Sequence, residues 1–430
     1  MKSRLFPVLL VSLTACAPPA PASTPAPSAG PRPTSGPAPT TEAQPPALAI
    51  SETRPILDTH RRTFGFLDEG IWISNEFEGG KIDDAWQEDD SGFVVHLRPE
   101  NVPINASAWY AFKVWSRDPR TIDIRLAYED GRHRYWPKTR KAGEPWMVLD
   151  STSVRMDAET REPTLTLRVG PDTLWVAGQE MMTSTFFREW TDSLAGESHI
   201  TKRVAGYSGR GRAMPLVEFG DRQANRHVMV IGRQHPPEAT GTMALLAFVE
   251  ELAGESPLAQ EFRTSFQVHV IPLVNPDGVD LGHWRHNTGG VDLNRDWEAF
   301  NQPETRVVRE VYSEILARPG HKLWFGVDFH STQYDVFYTL ERTLETDPPG
   351  ITDRWLDHIA TTLPHYEVND SPSGLGTPMS RNWFYRAFGA PGLIYEVGDQ
   401  TDRGLIREVA ITAAQGTMTI LLEELRREER

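Results

Sequence analysis

Four compact apolar runs, "RHVMVIG", "FQVHVIPLV", "KLWFGVDF" and "APGLIYEV", lie between residues 226 and 397. Runs this short and this apolar fit sheet strands covered on both faces. Helical stretches separate them, notably "PPEATGTMALLAFVEELAG" and "QPETRVVREVYSEILAR". The alternation predicts an α/β domain with a mixed, largely parallel central sheet flanked by helices. Open sheets of this kind build their sites beyond the carboxyl ends of the strands. The polar residues respect that edge. His235 and Glu238 follow the first run, Asn275 and Asp277 the second, His330 the third, and Glu396 sits near the end of the fourth.

The pair in "GRQHPPEATG" carries little by itself, since a chain with 13 histidines contains about one His-x-x-Glu by chance. Its bland reading is a helix-starting Pro-Pro beside an incidental histidine and a capping glutamate. The prolines add meaning. Proline suits the first helical position, so a helix is predicted from "PPE" to Gly254, with Glu238 in its first turn. The stiff link presets His235 and Glu238 for one ion. With the distant His330 they make a His, Glu, His set that leaves a fourth position for water, the pattern of catalytic zinc, one ion per chain. A second pair, His283 and His286 in "GHWRHN", has Arg285 between its members and follows a turn signal. It reads as loop histidines on a solvated surface.

From residue 50 to 180 the character differs. "GFVVHLRP", "AWYAFKVWS", "TIDIRLAYED", "PTLTLRVG" and "DTLWVAG" alternate with turn signals, which predicts an antiparallel β-sandwich ahead of an α/β domain at 185–430. Residues 1–16 read as a secretory signal: Lys2 and Arg4, a short apolar stretch, then small residues. It closes on "LTAC", which resembles the lipobox of bacterial lipoproteins and marks Cys16, the sole cysteine, for lipidation. Residues 17–48 are Pro, Ala, Ser and Thr, an expected disordered tether. No later apolar run of spanning length is expected. The chain is therefore expected to be exported and anchored by lipid alone, at the outer membrane facing the periplasm or the cell surface. A net charge of −15 argues against a nucleic-acid partner.

Taken in order, "HPPE", "GHWRHNTGGVDLNRDW", "DFHST" and "YEVGD" resemble the signature of the M14 zinc carboxypeptidases over most of residues 200–400. The first half, with "NEFEGGKIDDA" and "YWPKTRKAGEPW", is similar to the sandwich of the cytosolic carboxypeptidase subfamily. The resemblance implies that His235, Glu238 and His330 are zinc ligands. It implies that Asn294 and Arg295 grip a terminal carboxylate, that Arg285 stabilises the oxyanion, and that Glu396 is the general base. Asp292 would hold the first ligand histidine through a hydrogen bond. The chain departs from the family at Pro237, where an arginine is common. No residue matches the substrate-covering tyrosine securely; Tyr385 and Tyr395 are the candidates. Arg381 and Arg386 could favour an acidic terminal residue, but read more simply as solvated helix charges.

The expected activity is hydrolysis of the C-terminal peptide or isopeptide bond of peptides or peptidoglycan stem peptides that carry a free carboxylate. Deacylation of N-acyl amino acids on the same scaffold, and a catalytically inactive binding protein, are the competing readings.

Overall fold

Alternation of inward and outward residues decides the first half of the chain. The computed structural model describes residues 51–105 and 107–430, all within one compact unit, Ala49–Arg430. The expected leader with Cys16 and the tether at 17–48 lie outside the described residues. Strands and helices are numbered in chain order. One sheet runs β1 (Thr63–Phe66), β2 (Ile71–Ser74), β5 (Ala111–Ser116), β11 (Leu174–Ala177), β7 (Lys138–Lys141) and β8 (Met147–Val148). The other runs β3 (Asp84–Gln87), β4 (Gly92–Leu97), β6 (Arg120–Tyr128), β10 (Pro163–Val169) and β9 (Val154–Met156). In β6, Ile122, Ile124 and Leu126 point inward, and in β10 Leu165, Leu167 and Val169 do the same. Their core takes in Phe93, Phe112 and Val176 from the neighbouring strands.

The antiparallel pairing expected of these sheets holds except between β4 and β6, which pair in parallel. The chain leaves β4, adds β5 to the other sheet, and returns to lay β6 beside β4 in the same direction. A parallel pair needs such a crossover, and here a strand supplies it.

The second half holds a sheet of seven strands. It runs β12 (Ile200–Tyr207), β13 (Ala213–Gly220), β15 (Gln267–Ile271), β14 (Arg226–Gly232), β16 (Lys322–Thr332), β18 (Gly392–Gly398) and β17 (Val336–Tyr338). β15, β14, β16 and β18 are parallel, and antiparallel pairing is confined to the edges. The mixed α/β architecture thus matches the pattern of apolar runs. Helices α2 (Ala239–Ala253), α3 (Pro257–Arg263), α6 (Ile351–Thr362) and α8 (Arg403–Glu428) contribute to the core on one side. Helices α5 (Pro303–Leu316) and α7 (Ser380–Phe388) build the other. The remaining helices are α1 (Ser184–Leu194) and α4 (Pro276–Leu281).

Helix α8 differs from what the sequence implied. Its 26 residues include a window with mean hydropathy 1.2, long and apolar enough by composition to cross a membrane, yet 67% of that window is buried inside the protein. Its apolar side chains, among them Ala413, Met418 and Leu421, pack into the core beside α2 and α6.

The link between α2 and β16 positions the site. In β16, Phe329 and Ser331 face α2 while Asp328 and His330 face the opposite way, the period of a strand. Ser331 Oγ accepts hydrogen bonds from the Gly241 N–H and Thr240 hydroxyl, both at 2.8 Å. Gly241 lies so close that an added Cβ would stand 2.1 Å from the His330 carbonyl oxygen. Gly241→Ala is expected to destabilise the protein by about 1–3 kcal/mol, because a helix must move off a strand. Urea denaturation checks it, and a change below the error of the midpoint would show that the contact relaxes without cost.

Candidate active site

The sheet edge dictates where the site forms. β14, β16 and β18 end side by side, and their register pairs His330 directly with Glu396. Past the end of β14 the chain turns through Pro236 and Pro237, and α2 begins only at Ala239. The prolines therefore sit in a turn ahead of the helix rather than at its first position, and Glu238 occupies the N-cap instead of the first turn. Having no N–H, the prolines leave Glu238 N–H to close the turn on the His235 carbonyl at 3.3 Å.

This turn and strand bring three side chains together. One ligand atom each from His235, Glu238 and His330 falls within 4.8 Å of the others, and all three residues are buried. The Nδ1 atoms of the two histidines are 3.2 Å apart, and Glu238 spans them, Oε1 at 2.8 Å from His235 Nδ1 and Oε2 at 2.9 Å from His330 Nδ1. Each Nε2 is held from behind. Asp292 Oδ1 lies 2.9 Å from His235 Nε2, and Asp328 Oδ2 lies 2.9 Å from His330 Nε2. A carboxylate can only accept, so each Nε2 carries the proton and each Nδ1 is left to the cluster.

Asp328 was not singled out from the sequence, although "DFH" on a strand places it two residues from His330 on the same face. It is fully buried and also accepts from Gln234 Nε2 and from the Ser380 hydroxyl. Asp292 is shared as well: its Oδ1 takes the Asn294 N–H at 2.9 Å, and its Oδ2 takes Arg285 Nε at 2.8 Å.

Charges follow the contacts. Burial alone would raise Glu238, but the facing His235 and His330 hold it well below the usual carboxylate range. Burial is likewise outweighed at Asp292 by Arg285 and His235, and its carboxyl stays well below normal. Burial would lower His330, yet Asp328 and Glu238 hold its pKa well above the ordinary imidazole value. Glu396 behaves in the opposite way. Burial, reinforced by the negative Glu238, pushes it up to about 7, and its buried Oε2 has no hydrogen-bond partner.

Of the remaining expected residues, Arg295 donates from NH1 to the Asn294 carbonyl at 2.9 Å, leaves a buried Nε without a partner, and makes no ion pair among the described residues. Burial lowers its pKa, with Asp292, Arg285 and Glu396 all close enough to act on it. Asn294 Oδ1 accepts the Ser380 N–H at 3.1 Å. Asn275 supports the site from below, donating to the Gln234 carbonyl at 3.0 Å, whereas Asp277 is turned away and pairs with Arg212 at 2.7 Å.

Several expectations are corrected. His283 and His286 are not solvated: they are 5% and 3% exposed, and they bond to the His286 carbonyl and to Asn101 Oδ1 through Nδ1. Arg381 is also no solvated helix charge. It is fully buried and donates to the Thr339 carbonyl and to Ser373, whereas Arg386 is exposed and pairs with Glu298. Tyr395 belongs to the core, packed on Phe329 and Phe337. The tyrosine that feels Glu396 is Tyr338 on β17, pushed up to about 12 by burial and then by that carboxylate.

The first half of the chain also reaches the site. Arg134 donates from Nε and NH2 to Asp399, three residues past Glu396, at 2.7 and 3.2 Å, and from NH2 to the Ser331 carbonyl at 3.3 Å.

Comparison with known proteins follows the same lines. Residues 187–369 match the sequence model of the family Peptidase M14, zinc carboxypeptidase. An uncharacterized protein of Zymomonas mobilis is 24% identical over 268 residues, 60% of this chain and 66% of that protein. Cytosolic carboxypeptidase 2 of Danio rerio is 32% identical over 126 residues, 29% of this chain but only 18% of the relative. Cytosolic carboxypeptidase 6 of Mus musculus is 26% identical over 160 residues, 35% of this chain and 30% of the relative. The chain thus spans under a third of these two cytosolic relatives. In fold it is similar to a metallo-carboxypeptidase from Burkholderia cenocepacia, with TM-score 0.67 and 17% identity over 83% of this chain and 99% of that one. A Pseudomonas aeruginosa metallo-carboxypeptidase in complex with (2-guanidinoethylmercapto)succinic acid gives TM-score 0.65 at 17% identity, over 82% and 99%.

The donor set, two imidazole nitrogens and one carboxylate, all buried, fits the zinc named by the matched family model. Asp328→Asn is expected to weaken zinc binding about 10- to 100-fold while the fold persists, since it removes the acceptor that orients His330. Competition against a chromophoric chelator measures it, and unchanged affinity would mean that His330 is oriented by packing alone.

Proposed function

We propose that the chain carries a zinc carboxypeptidase domain of the M14 family, whose sequence model matches residues 187–369, and that the whole protein is a metallocarboxypeptidase that releases the C-terminal residue of peptides. One observation carries the reading. A half-buried carboxylate, Glu396, whose buried Oε2 has no partner, stands opposite His330 in the register, beside a three-residue ligand set. A cluster serving only to bind a structural ion needs no such group.

When bound at His235, Glu238 and His330, zinc supplies Lewis acidity and brings the pKa of a water into the neutral range, to ~7. The side chains do the rest. Glu396, whose Oε2 has no hydrogen-bond partner, accepts a proton from the attacking water at that atom and returns it to the nitrogen of the departing amine. Electron density from the attacking oxygen moves onto the carbonyl oxygen as the tetrahedral centre forms. The guanidinium of Arg285 is assigned to that developing charge, with Asp292 fixing its direction. Arg295 has donors to spare and no carboxylate among the described residues, so it suits the terminal carboxylate of a substrate, with Asn294 beside it. The succinic acid group held by the Pseudomonas aeruginosa protein is a ligand of that same chemistry.

Export and a lipid anchor at Cys16 would direct the activity to periplasmic peptides, peptidoglycan stem peptides among them. The reading is tested by incubating the purified protein with a panel of peptides, their C-terminal amides, N-acyl amino acids and muropeptides. Release of single terminal amino acids from free acids but not from amides supports it. Release of acyl groups from N-acyl amino acids only would point to a deacylase, and zinc binding with no turnover to a binding protein. Glu396→Gln should keep one zinc per chain and lose about 10²–10⁴-fold in kcat, read by amino-acid release alongside elemental analysis.

A further inference from the structure

Arg285 lies in a stretch, 283–286, that belongs to no helix or strand. Its backbone is held by one carboxylate from the first half of the chain. Glu100 Oε2 accepts the Trp284 N–H at 2.8 Å, and Oε1 accepts the N–H groups of Arg285 at 3.0 Å and of His286 at 2.6 Å. Glu100 is 1% exposed, so these bonds replace the water it gave up. Burial would raise its pKa, but His283, His286 and the bonded N–H groups keep it below the usual range.

The side chains alternate along this stretch. Trp284 is fully buried in the sandwich core, over a position where only glycine fits: a Cβ on Gly131 would lie 2.4 Å from the indole. His286 bonds to Asn101 in the same half. Arg285, between them, turns to Asp292 and the metal cluster.

We propose that Glu100 is a positioning residue for peptide hydrolysis, fixing the backbone at 284–286 so that the guanidinium of Arg285 stays locked beside Asp292. The sandwich half is then part of the catalytic apparatus. This rests on the oxyanion role given to Arg285 above. Its physical basis is that misplacing a catalytic group by about 1 Å can cost on the order of 10²-fold in rate, and within the stretch itself the side-chain bond is the one from His283 Nδ1 to the His286 carbonyl, which leaves the three N–H groups of 284–286 to Glu100.

Glu100→Gln tests it. The amide preserves volume, but its NH2 faces a backbone N–H where a carboxylate oxygen accepted one. The variant should keep zinc, lose about 10- to 100-fold in kcat on an N-blocked dipeptide and hold KM within about threefold. In an Arg285→Ala background the same change should leave kcat where Arg285→Ala put it. Wild-type kcat in the single variant, or losses that multiply in the double variant, would overturn the proposal. Should Glu100→Gln not fold, Glu100→Asp, which keeps the charge and retracts it by one methylene, is read by the same criteria. Wild-type protein inert toward every peptide would sink the proposed activity instead. Glu100 is then judged by amide exchange and a crystal structure of the variant: fast exchange at 284–286 with a broken Arg285–Asp292 pair upholds its role, and an intact pair refutes it.

Discussion

The site depends on two buried aspartates that hold two histidines from behind. An imidazole offers two nitrogens, and a metal needs a chosen one. Asp292 and Asp328 settle the choice by occupying each Nε2, which turns both Nδ1 atoms onto Glu238. The result is an unbroken line of paired polar groups through Arg285, Asp292, His235, Glu238, His330 and Asp328. Each buried charge has its neighbour, which is what makes so dense a polar cluster tolerable inside a core.

Two groups stand outside that line. Glu396 Oε2 and Arg295 Nε are buried without partners. Unsatisfied buried groups are costly, and Asp328 Oδ1, within the line itself, is another. The chain as a whole bears a net charge of −15, yet it brings Arg285, Arg295 and Arg134 to this one edge, so overall charge says nothing of what the site attracts.

The two halves meet through side chains that the site requires. Arg134 ties the end of β18 to the sandwich through Asp399, and Glu100 ties down the loop that carries Arg285. Trp284 makes the same connection by packing, since a residue adjacent to Arg285 in sequence is a core residue of the other half. A loop without secondary structure is ordinarily mobile. Here its order is lent by a neighbouring sheet.

Much of this was written in the chain. Apolar runs alternating with helical stretches fixed a mixed α/β sheet, because a strand buried on both faces has no other composition. The polar residues at the ends of those runs located the site, and His235, Glu238 and His330 do converge. What the sequence could not state was anything resting on contacts between remote segments. Asp328 was not singled out on its strand, "GHWRHN" read as a solvated loop, and Glu100 was not singled out at all. The β4–β6 pairing was hidden as well, since direction in a sheet depends on where the chain has been between two strands. Periodicity records which residues are buried, but not against what. Only the folded chain decides which buried carboxylate faces which histidine, because that partnership is made across tens or hundreds of residues.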